Sequence, residues 1–124
     1  MSSIEFNKQV NNFFELMKEV YIEVCNVEDS FNNHEGIEKY LITMQYMNFA
    51  NQNFIKAKQI YREYELDNPI FEALIENFSQ LKIQLDEVIS KKDSNLSWLY
   101  SSLDTFRTNF SEANEFMTNK SKHI

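Results

Sequence analysis

Apolar residues recur at alternating intervals of three and four along most of this chain. Val10, Phe13, Met17, Val20 and Val24 form one row, with Phe14 and Tyr21 beside it. Phe71, Leu74, Phe78, Leu81, Leu85 and Val88 form a second, and Leu96, Leu99, Leu103, Phe106, Phe110, Ala113 and Met117 a third. Such spacing places each row on one face of an α-helix and suits left-handed, coiled-coil-like packing at a crossing angle near 20°. The pattern predicts core positions at Phe13, Met17, Phe78, Leu81, Leu103 and Phe110.

Punctuation sets the expected helix ends. Ser2 followed by Glu5 is a capping box that starts helix 1 near Ser3, and the helix should fade near Cys25–Val27. Asn26 to His34, dense in Asn, Asp and Ser, reads as a loop. Asn32 with Glu35 offers the next capping box, so helix 2 is expected from about Asn33 to Leu66, the longest of the four at roughly 45–50 Å. Three Asn in Asn48-Phe-Ala-Asn-Gln-Asn53 make a weak spot where it could bend. Asp67-Asn-Pro69 stops it, with Asn68 as N-cap and Pro69 in the first position of helix 3. Lys91 and Lys92 suit the C-terminus of helix 3. Asp93 or Ser94 caps helix 4, and a flexible polar tail covers 119–124. The expected fold is an all-α, four-helix antiparallel bundle forming a single domain over 1–118, with two extended helical hairpins pairing as a dimer as the runner-up.

Helix 2 carries more apolar surface than one seam needs. Its main stripe is Ile37, Tyr40, Leu41, Met44, Met47, Phe54, Ile55 and Tyr61. A second set points the other way: Ile42, Tyr46, Phe49, Ala57, Ile60 and Tyr64, which lie within about 80° of one another. Either the chain grips this helix on both sides, or Ile42, Tyr46, Phe49, Ile60 and Tyr64 await a partner or a second copy. In helix 4, Trp98 and Phe116 lie about 100° off the seam, and Trp98 is a candidate anchor for the same purpose.

Composition narrows the chemistry. One Gly and one Pro in 124 residues leave too few turn residues for a β-sandwich or barrel. The single Gly36 excludes both the P-loop and the dinucleotide fingerprint, and is placed in the first turn of helix 2. One Cys excludes a disulfide framework or a Cys-based zinc site. Neither His34 nor His123 belongs to a Glu-x-x-His motif, so bundle-type carboxylate metal sites are not expected. Cys25, near the expected end of helix 1, lacks the helix N-terminus or cation that would activate a thiolate, and Cys25→Ser should be silent. The chain therefore reads as non-enzymatic, with no cofactor, metal or small-molecule substrate.

The net charge of −7 disfavours nucleic acid and anionic membranes. Its acidity is concentrated in 1–36 and 67–93. Glu15, Glu19 and Glu23 form a row opposite the helix 1 seam: a solvated face, or a docking face for a basic partner. No apolar run reaches membrane-spanning length, no secretory signal opens the chain, and a lone thiol suits a reducing interior, so a cytoplasmic location is expected. The wealth of Asn, Ile, Phe, Lys and Tyr points to an AT-rich genome. These readings converge on a small cytosolic regulator, inhibitor or adaptor that binds another protein, from a phage or mobile element of an AT-rich bacterium. A self-assembling structural subunit, such as a homodimer, is the first alternative.

Tyr100-Ser-Ser-Leu-Asp104 and Tyr61-Arg-Glu-Tyr-Glu65 fit the Tyr-x-x-x-Asp/Glu signal, and in this respect the chain resembles the small helical proteins of type VII secretion. That resemblance implies a secreted helical partner protein. The family's Trp-x-Gly turn is absent, since Trp98 is followed by Leu99 and Tyr100, and four helices exceed its single hairpin. It stands as a minor alternative.

Overall fold

The computed structural model describes residues 2–33, 36–91 and 96–122, with 120–122 as helical backbone. All regular secondary structure among the described residues is α-helical: α1 Ser3–Asn33, α2 Gly36–Glu63, α3 Pro69–Lys91 and α4 Ser97–Lys122. It divides into two compact units, residues 1–67 and 68–124, each a pair of consecutive helices packed on one another.

In the first unit, Ser2 caps α1 as expected, its Oγ accepting from the Glu5 amide at 3.1 Å. Ring pairs fix the direction of packing. Phe13 meets Tyr61 at 5.6 Å and Phe31 meets Tyr40 at 6.5 Å, so the start of α1 lies beside the end of α2 and the helices run antiparallel. Lys39 Nζ lies 4.0 Å from the Phe31 ring centroid at the closed end of the hairpin.

Two helix ends differ from the sequence expectation. No loop opens at Asn26, because α1 continues to Asn33. Val27 and Phe31 extend the seam from Val20 and Val24 and are buried, and that burial outweighs the weak helix propensity of the Asn, Asp and Ser between them. Asn32 is therefore within α1 and does not cap α2; its expected partner Glu35, like His34, lies outside the described residues. Helix 2 is not the longest, with 28 residues against 31 in α1. It runs unbroken through Asn48–Asn53 and stops at Glu63, short of Leu66. There the Leu66 amide donates to the Tyr61 carbonyl and the Glu65 amide to the Arg62 carbonyl, while Glu65 takes φ 48°. This is a Schellman stop with Glu65 in the left-handed position and Leu66 tucked inside.

The seam of α2 also sits elsewhere than the large apolar residues suggest. Thr43, Met47, Ala50, Phe54, Ala57 and Tyr61 are its buried residues, in unbroken 4,3 spacing. Ile37, Leu41 and Ile55, assigned to the main stripe, are exposed. Small residues occupy half of the real seam and let two helices approach closely, so counting only bulky residues rotates the stripe away from it.

In the second unit, Asn68 Oδ1 accepts from the Ile70 and Phe71 amides at 2.8 and 3.3 Å, and Pro69 opens α3, as its sequence predicts. The whole α3 row from Phe71 to Val88 is buried. Phe71 meets Phe116 edge-on at 5.7 Å and Phe78 meets Phe106 at 5.8 Å, an antiparallel pairing again. Phe110, expected in the core, is only half-buried; Phe106 and Ala113 are fully buried in the α4 seam. Helix α4 continues to Lys122, through the expected tail. Lys92 and the caps expected at Asp93 or Ser94 lie outside the described residues.

Candidate functional site

The first unit brings together two features that the sequence presents separately. A groove of about 400 Å³ between α1 and α2 is lined by Asn12, Glu15, Leu16, Glu19 and Ile60. Glu15 and Glu19 come from the acidic row of α1, and Ile60 from the second stripe of α2. Leu16 and Ile60 are half-buried and form an apolar floor, while Glu15 and Glu19 are exposed on the rim. Lys18 approaches Glu15 at 3.6 Å, but that carboxylate stays 69% exposed, so the pair is worth little.

A second depression of about 390 Å³ lies at the open end of the same hairpin, lined by Glu5, Glu63, Tyr64 and Glu65. A polar chain along α1 joins the two: Gln9 Nε2 donates to Glu5 Oε1 at 3.0 Å, and Asn12 Nδ2 reaches Gln9 Oε1 at 3.4 Å. Neither depression is lined by a Lys or Arg. At 100° per residue, Glu5, Asn12, Leu16, Glu19 and Glu23 share one side of α1, as do Ile60 and Tyr64 on α2.

The remaining candidate residues fall as follows. Glu23 does not lie on a fully solvated face: it is half-buried, and its Oε2 is buried without a hydrogen-bond partner. Its angle to the seam is nearer 100° than 180°, so it sits on the flank of the helix pair. Ile42 and Tyr46 are half-buried and line neither depression, and Phe49 is 43% exposed. The second stripe is thus the flank of the α2 seam, with Ala57 belonging to the seam itself. In the second unit, Trp98 is 72% exposed beside a smaller, polar depression with Asn77, Gln80 and Gln84, whereas Phe116 is engaged by Phe71.

Leu16, Asn12, Glu5, Glu63 and Glu65 are the lining residues that sequence reasoning missed. Leu16 carried a signal: it is a large apolar residue off the α1 seam and amid the acidic row. Glu63 and Glu65 carried none, because their placement depends on where α2 stops.

Cys25 is a half-buried free thiol in the body of α1. Of the two secretion-type matches, Tyr61 is buried in the α2 seam, while Tyr100 and Asp104 are exposed on α4, Asp104 paired with Arg107 at 3.0 Å. Among the described residues, no three His, Cys, Asp or Glu side chains converge to hold a metal ion, and no helix is long and apolar enough to cross a membrane. Comparison with protein-family models, curated proteins and solved structures finds no match to this chain.

Proposed function

We propose that this is a non-enzymatic protein that works by binding another protein on the flank of its α1–α2 hairpin. The observation that carries the reading is the meeting of Glu15, Glu19 and Ile60 in one open groove. An apolar floor favours burial of a partner's side chains, and a charged rim selects which partner arrives. A small cytoplasmic regulator, inhibitor or adaptor is the role that suits a chain whose working part is such a surface. A two-fold contact between copies would set like carboxylates against each other, so this face favours a different protein over a second copy.

Capture by the tagged chain from its native host tests the reading. The expected result is one protein retained in stoichiometric amount by the wild type and by Trp98→Ala, and lost from Ile60→Glu with its helical spectrum intact. Capture unchanged by Ile60→Glu, or no stoichiometric partner, overturns it.

A further inference from the structure

We infer that the occupant of this face is a basic amphipathic helix, seated lengthwise in the furrow between α1 and α2. The inference rests on the protein-binding reading and names the chemistry of the partner.

Charge favours a basic occupant. Glu5, Glu15, Glu19, Glu63 and Glu65 line the two depressions, and no base lines either. Carboxylates gathered around the two depressions repel one another; the exposed Lys18 beside Glu15 relieves this only weakly, and a cationic partner would relieve it further. These carboxylates do not converge on a point, since among the described residues no cluster is placed to hold a metal ion. Complementary charge must therefore be spread along a length, as it is along a polypeptide carrying several Lys or Arg.

The apolar floor favours an amphipathic one. Leu16 and Ile60 are half-buried between the charged rims, and Tyr64 continues the same side of α2. A hydrophilic cation would leave this surface wet. A helix with apolar residues at 3,4 spacing covers it, while its flanking Lys or Arg side chains reach the rims. The furrow between two antiparallel helices is itself the seat that a third helix takes in coiled-coil-like packing. From the level of Glu5 to that of Glu19 is about 21 Å, or roughly four helical turns of the partner.

The test uses the full chain and a labelled synthetic peptide of about 18 residues. The peptide is built from Leu and Lys, with Leu at 3,4 spacing. A second peptide of the same composition scatters its Leu around the helix. Fluorescence anisotropy should show saturable one-to-one binding of the first peptide, at least about tenfold weaker binding of the second, and a loss of about tenfold or more in Glu15→Lys/Glu19→Lys. Both glutamates are exposed, and Glu15→Gln/Glu19→Gln should show a smaller loss in the same direction. No saturable binding, equal binding of the two peptides, or indifference to the charge-reversed pair overturns the inference. A host protein lost from Ile60→Glu alongside a peptide that fails to bind leaves the surface standing and rejects its basic occupant.

Discussion

The rings of Phe13 and Tyr61 lie 5.6 Å apart at 47°, and both residues are buried. This pair fastens the first third of α1 to the last turn of α2, the stretch that also forms the walls of the acidic groove. Truncating Phe13 to Ala should cost about 3–5 kcal/mol in urea unfolding, through lost burial and the cavity left behind. A double-mutant cycle with Tyr61→Leu should return a coupling of about 0.5–1.5 kcal/mol.

The left-handed backbone at Glu65, φ 48°, offers a different lever. Glycine occupies such a helix stop without the Cβ crowding that other residues meet. Glu65→Gly should raise thermal stability by about 0.5–1 kcal/mol, and Glu65→Val should lower it by about 1–2 kcal/mol. A calorimetric series over the two variants reads both signs. The same Glu65→Gly change removes a rim carboxylate, so it should weaken cationic peptide binding while stabilising the fold.

Thr43 is fully buried, and its Oγ1 has no hydrogen-bond partner. An unsatisfied buried hydroxyl costs about 1–3 kcal/mol, and Val has the same shape without the polar atom. Thr43→Val should stabilise the first unit by about 1 kcal/mol in denaturant unfolding. A loss of that size would show that the hydroxyl is bonded in the native state.

Much of this architecture was legible in the sequence because burial and spacing agree there. The α3 row, the Asn68-Pro69 entry and the Ser2 cap all follow from local rules that tertiary packing does not overrule. What escaped was set by packing. Helix α1 runs on through Asn26–Asn33 because Val27 and Phe31 gain more from burial than their neighbours lose in propensity. The seam of α2 passes through Thr43, Ala50 and Ala57, residues that a search for bulky side chains passes over. For the candidate site, the acidic row and the second stripe were each readable from angles along one helix. Their meeting depends on the register between α1 and α2, which no single-helix pattern contains, and the contribution of Glu63 and Glu65 depends on the Schellman stop.

The central claim is that the furrow around Ile60 is where another protein sits. A photo-crosslinking amino acid placed at position 60 in the native host tests it most directly, with position 41 as the comparison, since Leu41 is exposed about 100° away on the same helix. The account predicts one discrete adduct heavier than the 14.9 kDa chain from position 60, containing a different protein, and none from position 41. No adduct at position 60, the same adduct from both positions, or an adduct of two copies of this chain would contradict it.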